Sequence, residues 1–405
     1  MKEKVNILFI DNSFTFGGAI NSLSHLLKAI NRERFIPFVV SGQEIGTLDE
    51  HFPDIKCYHY LPKLPWINNK IYLRLIKFPV FKIKVFKKLL NLLRFVYWLM
   101  FVHIPEAIHY MRIGNKHAID IVHLNNILGS QLSGILAAKL LGVPCVAHLR
   151  DFEEIHPITR IYAKFIDHHI AISSAIRDNI KQLGVDEKNI TLIHDAIDLG
   201  TFNTDVEYDY LFHEFNINKQ QPRFGIFGRV IDWKGIREFI EATNMVVNKN
   251  REVKAFIIGG ASDGGDEYMQ QMLELAKDLD LQENLIFTGF RQDIPALMKF
   301  MDIVVHASIT PEPFGMVLIE GMAMGRPVVA TRAGGPLDIV VDGKTGILVP
   351  MRDSRELANA ILTLLEDPKS MLEMGNNGVH RVQTDFGSSL YAEKVEKLYQ
   401  ALKEG

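Results

Sequence analysis

Cysteine and long apolar runs are both scarce in this 405-residue chain. Only Cys57 and Cys145 occur, far apart, which excludes a disulfide framework and a thiolate metal cluster. The opening Met1-Lys2-Glu3-Lys4 leads into Val5-Asn6-Ile7-Leu8-Phe9-Ile10, an apolar run too short, and too soon met by Asp11, for a secretory signal. That run reads as a strand, and a cytoplasmic protein is expected. A strong excess of either charge is also missing. The net charge of −3 argues against a dedicated nucleic-acid binder. What is present, 47% hydrophobic and 23% charged residues, suits a globular protein. The length exceeds what one compact core accommodates and points to two domains.

Short apolar runs alternate with longer helical patterns, the signature of parallel sheets covered by helices. Strands are predicted over 5–10, 37–40, 119–124, 143–148, 168–173 and 190–194, and again over 223–227, 253–258, 285–288, 303–306, 327–330 and 346–349. Each half thus holds enough for a doubly wound, Rossmann-like sheet. The rhythm pauses in the polar stretch 198–223. The expected fold is α/β, two such domains facing across a cleft at the carboxyl ends of their strands, where ligands of open α/β sheets bind. Domains are placed at 1–200 and 201–385, with a C-terminal helix in 386–405.

One segment lacks acid altogether. Residues 55–105 contain ten Lys or Arg and no Asp or Glu, and include "KFPVFKIKVFKKLLNLLRFVYWLMFVHI" (77–104). The longest uncharged apolar run, Phe95 to Val102, is far below the ~20 residues of a membrane span. Basic and apolar residues together suggest a helix lying on an anionic membrane surface. The competing reading is a covering helix of the first sheet whose lysines face water.

Three loops after strands suit close approach to the backbone or to its cations. Gly17-Gly18 open a helix after the first strand, and helix N–H groups there suit an anion such as phosphate. The spacing is not that of the dinucleotide fingerprint, and a simple tight turn is the alternative. In "RFGIFGRVIDWKGIREFIEA" (223–242), Arg229 and Lys234 follow a strand and precede an amphipathic helix. Two cations at that edge can neutralise a diphosphate and stabilise it as a leaving group, although either alone reads as a solvated turn residue. The third loop, Gly334-Gly335, follows the strand 327–330.

The richest stretch is "PEPFGMVLIEGMAMG" (311–325). Pro311 and Pro313 hold off helix until about Gly315, so that N–H groups near Phe314, Gly315 and Met316 form a second anion site. Glu320 then lies roughly 7–8 Å along the helix at 1.5 Å per residue, about the span from a nucleotide's phosphates to its ribose hydroxyls. A carboxylate accepts two hydroxyl donors, which makes Glu320 a candidate ribose clamp. A helix salt bridge is the alternative, but Leu318, Ile319 and Met322 are apolar, and a carboxylate among them needs a partner. Glu312, at the loop end, would reach hydroxyls of the sugar beyond the phosphates.

With these residues in hand, the chain resembles the retaining, GT-B-fold glycosyltransferases of family 4. The resemblance rests on Gly17-Gly18, "GRVIDWKG", the Glu-x7-Glu of 312–320, "EGMAMGRPVVAT" and "GGPLDIVVDGKTGILV", with looser matches at "DIVHLNN" (120–126) and "AISSAIRDNIKQLGV" (171–185). It implies that Arg229 and Lys234 hold the donor diphosphate, that Glu320 binds ribose and that Glu312 contacts the donor sugar. It further implies that Gly17-Gly18 face the diphosphate and that His148, ending "PCVAH", lies near the transferred sugar. Packing at a strand end is the other reading of His148. Arg150 and Asp151 are left unassigned, and the family's Asn-Gly before the linker reads Asp195-Ala196 here. Transfer would proceed with retention of configuration, from a nucleotide-diphosphate sugar to a saccharide or lipid-linked acceptor. No cofactor and no metal are expected, since the Asp-x-Asp at Asp278 and Asp280 ends a helix. The C-terminal helix is expected to cross back onto the first domain. Two rivals share the fold: a sugar-nucleotide epimerase and a non-catalytic binding subunit. The intact Arg229, Lys234, Glu312 and Glu320 weigh against the second, and the basic apolar segment against the first.

Overall fold

The computed structural model describes residues 4–11, 18–41, 52–59, 77, 84–261 and 265–404. Gly17, and residues 60–76 and 78–83 of the basic segment, lie outside them. The chain divides into two compact units. One takes in the chain through Ala171, Ile176–Ile193 and the end from Ala392; the other comprises Ile172–Ala175 and His194–Tyr391.

The first unit is built on β1 (Val5–Asp11), β2 (Phe35–Ser41), β3 (Lys56–His59), β4 (Ile121–Asn125), β5 (Cys145–Leu149), β6 (His168–Ala171) and β7 (Ile190–Leu192). They form one sheet in the order β3-β2-β1-β4-β5-β6-β7, with every pairing parallel. Its helices are α1 (Gly18–Ala29), α2 (Lys84–Trp98), α3 (Ile104–Lys116), α4 (Leu132–Leu141), α5 (Pro157–Lys164) and α6 (Ser174–Gln182), with a π-helical turn, Leu99–His103, joining α2 to α3. Ile7, Leu8, Phe9, Ile10, Val122, Leu124, Val146 and Ala147 are inaccessible to solvent, as expected of parallel strands covered on both faces. The edge strand β3 escapes prediction because Lys56-Cys57-Tyr58-His59 carries no apolar run. An edge strand pairs on one side only and tolerates polar residues.

The second unit opens with the short α7 (Tyr210–Glu214), alternates strand and helix through β13, and ends on successive helices. Its elements are β8 (Arg223–Phe227), α8 (Ile236–Lys249), β9 (Lys254–Ile258), α9 (Asp266–Asp278), β10 (Leu285–Gly289), α10 (Ile294–Phe300), β11 (Ile303–His306), α11 (Met316–Ala323), β12 (Val328–Thr331), α12 (Pro336–Ile339), β13 (Gly346–Val349), α13 (Ser354–Glu366) and α14 (Pro368–Asp385). The sheet is again parallel, in the order β10-β9-β8-β11-β12-β13. In α8 the residues Ile236, Phe239, Ile240, Thr243, Val246 and Val247 are buried, one stripe at helical spacing; each large apolar member contributes roughly 1.5–3 kcal/mol.

In both sheets the strand order reverses beside the first strand, between β1 and β4 and between β8 and β11. Loops leaving the carboxyl ends of such neighbours diverge and leave a crevice for ligand. The terminal helix α15 (Ser388–Glu404) belongs to the first unit from Ala392 onward. There Tyr399 Oη lies 2.7 Å from His123 Nδ1, Glu396 accepts from Asn31 N at 2.7 Å, and Lys403 is 3.3 Å from Asp120. Among the described residues no helix is long and apolar enough to cross a membrane.

Candidate active site

The crevice of the second sheet is shaped by close backbone contacts that exclude side chains. After β8, Gly228 adopts φ +136°, and a Cβ on Gly259 would fall 1.9 Å from the Gly228 carbonyl oxygen. The chain turns there and presents Arg229, exposed and without a carboxylate partner among the described residues. A 3-10 turn, Asp232–Lys234, then ends at Gly235 with φ +72°, where a Cβ would lie 1.9 Å from Ala307 O.

This places Lys234 against the loop that follows β11. Its ammonium donates to both oxygens of Glu312, at 3.0 and 2.9 Å, and lies 4.1 Å from the centre of the Trp233 ring. Glu312 Oε2 also accepts from Ser308 Oγ at 2.9 Å and lies 3.1 Å from His306 Nε2. Burial pushes the Glu312 carboxyl up, but the His306 hydrogen bond and the Lys234 charge outweigh it, and the group is held well below the usual carboxylate range. The predicted cation and the predicted sugar-contacting acid are therefore direct partners.

Glu320 is treated differently. It sits half-buried on α11 beside Leu318, Ile319 and Met322, all inaccessible, and has no hydrogen-bond or ion-pair partner among the described residues. Burial pushes its carboxyl up to about 7. The salt bridge weighed above is absent among the described residues. At the head of α11, Phe314 is buried and stacks near His194 and Phe386, Gly315 takes φ +109°, and Met316 begins the helix. The first N–H groups of such a helix have no partner within it.

Gly334-Gly335 makes a close approach of backbone to backbone. A Cβ on Gly334 would lie 2.1 Å from Glu312 O, and one on Gly335 would lie 2.1 Å from Phe314 O. Gly335 N donates to Glu312 O at 2.8 Å. The close approach that these glycines allow is made by the protein's own 312–314 backbone, which fixes the acid loop.

In the first unit the corresponding crevice is lined by a polar chain. Asp11, ending β1, accepts from Asn125 Nδ2 at 2.7 Å; Asn125, ending β4, accepts from Arg150 Nε at 2.6 Å; Arg150 also reaches Ser22 Oγ at 2.7 Å. His148 is fully buried on β5, 3.4 Å from Arg150 and edge-on to His123. Burial, then the charge of Arg150, holds its imidazole well below the ordinary value, so the ring is neutral. Gly18 is exposed at the start of α1, with open space where a Cβ would stand; Gly17 lies outside the described residues.

The structure thus brings Lys234 and Glu312 into contact, sets Arg229 in the same β8–α8 loop, and places Glu320 within the helix that follows Glu312. His148 and Gly18 stand in the other unit. Sequence reading missed His306, Ser308, Asp11, Asn125 and Ser22. The first four share one signal, a polar residue at or just beyond the carboxyl end of an apolar strand. No group of three or more His, Cys, Asp or Glu stands in a metal-ligating array among the described residues.

Comparison with known proteins gives this geometry a context. Residues 209–381 match the family model described as glycosyl transferases group 1, and residues 16–201 match that of glycosyltransferase family 4. The chain is a glycosyltransferase of the GT-B fold. It is 22% identical, over 71% of its length and 76% of the relative's, to the N-acetyl-alpha-D-glucosaminyl L-malate synthase of Bacillus anthracis. It is 26% identical, over 70% and 76%, to the UDP-Gal:alpha-D-GlcNAc-diphosphoundecaprenol alpha-1,3-galactosyltransferase of Escherichia coli. Several other curated relatives are matched over only about half of their length. The crystal structure of Anabaena HepE with UDP and glucose superimposes with a TM-score of 0.78, covering 98% of this glycosyltransferase and 100% of HepE at 24% identity, a likeness of fold.

Proposed function

We propose that this glycosyltransferase moves a hexosyl group from a nucleotide-diphosphate sugar to a saccharide acceptor, lipid-linked or at the cell surface, with retention of anomeric configuration. One observation carries the reading: Lys234 is held on Glu312 at the point where the second sheet reverses its strand order, with Arg229 exposed in the same loop. In this reading the second unit binds the donor and the first the acceptor.

Arriving diphosphate draws Lys234 away from Glu312 and joins it to Arg229 and the N–H groups of Phe314, Gly315 and Met316. Glu312 Oε1, whose contact here is Lys234, then becomes an acceptor for a sugar hydroxyl, while Oε2 stays on His306 and Ser308. Glu320 accepts the ribose hydroxyls, which gives its buried carboxylate the partners it lacks. The bond from anomeric carbon to diphosphate breaks while the acceptor oxygen bonds to the same face of that carbon. The acceptor's proton passes to the departing phosphate oxygen, and the cations and helix N–H groups absorb the developing charge. Glu312, engaged by three side chains, is not assigned as a nucleophile.

Two further parts belong to this proposal. The enzyme works at the inner face of an anionic membrane, held there by the segment 55–105. Its first donor to try is UDP-glucose, because HepE has been crystallised with it. A panel of nucleotide sugars tests the whole: at a hundred times its Kd the preferred donor stabilises by about 2.7 kcal/mol and raises Tm by roughly 5 °C or more. A panel that leaves Tm unmoved removes the donor reading. A product of inverted configuration by NMR removes retention alone.

A further inference from the structure

Helix α2 carries an apolar ridge that the protein leaves exposed to water. None of Val85–Trp98 is buried. Val85 is 71% exposed, Leu89 50%, Leu92 56% and Leu93 58%, and Phe86 and Val96 are exposed as well. At 3.6 residues per turn these fall on one side, and Lys87, Lys88, Asn91, Arg94 and Trp98 on the other. Lys87 and Lys88 stay exposed, while Arg94, Phe95 and Trp98 are half-buried and, with Asn91, line a cavity of about 510 Å³ together with Gly129 and with Tyr162 of α5. Lys87 and Lys88 face water, as a covering helix would have them, but the exposed ridge of Val85, Leu89, Leu92 and Leu93 is more than such a helix needs.

The outward ridge has a local cause. The π-turn Leu99–His103 widens the helix by about one residue, or roughly 100° of rotation. Continued as a plain α-helix, α2 would bring Val85, Leu92 and Val96 to the side on which α3 buries Ala107, Tyr110 and Ile113. The wider turn swings them outward. His103, closing the turn, is anchored 3.0 Å from Ser133 Oγ, and Ser133 donates to buried Glu106 at 2.5 Å.

Across the same cavity, α5 repeats the pattern. Ile155, Ile158, Ile161 and Phe165 are 42%, 38%, 52% and 51% exposed, at helical spacing, while Tyr162 and Ala163 turn inward. Arg160 and Lys164 flank them, and 155–165 contains no acid. Two apolar ridges rimmed by cations, over segments that hold no carboxylate, complement an anionic, apolar partner.

We infer that α2 and α5 together form a lipid-inserting face that seats this enzyme on an anionic bilayer, with their apolar ridges in the acyl boundary and their cations at the headgroups. This widens the membrane reading given above from a basic segment to a built surface, and it is independent of which donor is used.

Co-sedimentation of the full chain tests it, with vesicles of phosphatidylcholine alone and of phosphatidylcholine mixed with phosphatidylglycerol. The wild type should bind the mixed vesicles, less so as salt rises. Ile158→Asp/Ile161→Asp and Leu89→Asp/Leu93→Asp should each weaken binding by roughly a hundredfold, and Lys87→Gln/Lys88→Gln by about tenfold. These residues are exposed, so each variant should keep the wild-type Tm and the same donor-induced rise in Tm. Loss of the donor response in the wild type would speak against the donor reading and leave this one standing. Wild-type binding by the α5 pair overturns the two-helix face. So does a wild type that ignores both vesicles, or a dimer in sedimentation that the α2 pair dissolves, since a second copy would then cover the ridges.

Discussion

Glu312 and Glu320 stand eight residues apart, one in the loop after β11 and the other in the helix that follows, and near neutrality the first is fully ionised while the second is still titrating. Glu312 is the more enclosed, yet three side chains meet it and it stays ionised far below neutral pH. Glu320 keeps some access to solvent, has no hydrogen-bond or ion-pair partner among the described residues, and is pushed by burial up to about 7. Burial alone does not set the charge of a carboxylate; what surrounds it does. The first acid is spent on holding a loop in the ligand-free protein. The second is an unmet demand that a ligand with two hydroxyls would satisfy.

The strongest way to break this contrast is to remove Lys234. Lys234→Ala should slow transfer by about 10²–10³-fold, through loss of a cation that meets the leaving diphosphate. It should also cost about 3 kcal/mol of stability, because Glu312 stays enclosed with its main counter-charge gone. Adding Glu312→Gln should restore much of that stability and none of the rate. A double variant no more stable than Lys234→Ala would show that the pair does not hold the loop.

Next in size is the effect of pH through Glu320. Its folded pKa of about 7 exceeds the ordinary 4.5, so the folded chain retains a proton that the unfolded chain releases between those values. Stability therefore falls as pH rises through that window and levels off above it, by about 3 kcal/mol in all. Glu312 has the reverse sign: its contribution is present above the unfolded value and lost as pH falls below it. Glu320→Gln should flatten the slope between pH 4.5 and 7 in denaturant titrations and raise stability at higher pH. It should also weaken the donor by about tenfold at pH 8, where the wild-type carboxylate is ionised, and by less at pH 6. A wild-type Kd independent of pH across neutrality would remove the ribose role.

A third change acts on the frame. Gly335 has an ordinary φ of −57°, so Gly335→Ala strains no dihedral; it only drives a methyl to 2.1 Å from Phe314 O. The 312–314 backbone must give way, at about 2 kcal/mol and roughly tenfold in donor affinity. Unchanged affinity would mean that the loop tolerates displacement.

These effects also mark what the sequence could disclose. The alternation of apolar runs shows two parallel sheets because strands buried on both faces cannot be polar; β3, at an edge, is under no such constraint. Arg229, Lys234, Glu312 and Glu320 are legible because charge directly after an apolar strand or within an apolar helix is out of place. That Lys234 and Glu312 touch is not legible, since 78 residues separate them and only the order of strands brings them together. The same holds for Asp11 and Asn125, 114 residues apart. For α2, periodicity shows which residues share a side, but the π-turn decides which way that side faces, and no spacing in the sequence announces a π-turn. Gly334-Gly335 is legible only in part for a related reason: a glycine pair signals close approach without saying by what.

The smallest expected effect makes the finest test of the contrast. Ser308→Ala deletes one hydroxyl donor to Glu312 and leaves Lys234 and His306 in place. A hydrogen bond to a charged acceptor is worth about 1.5–3 kcal/mol, but the oxygen that Ser308 serves keeps two other partners, so a loss near 1 kcal/mol is expected. His306→Ala removes a bulkier neighbour of the same oxygen and should cost more. If Glu312 acts through its freed Oε1, then Ser308→Ala, which touches only Oε2, should change kcat by less than about threefold and leave KM near its wild-type value. A kcat loss as large as that of Lys234→Ala would mean that the oxygen facing His306 and Ser308, and not the one released by Lys234, meets the sugar.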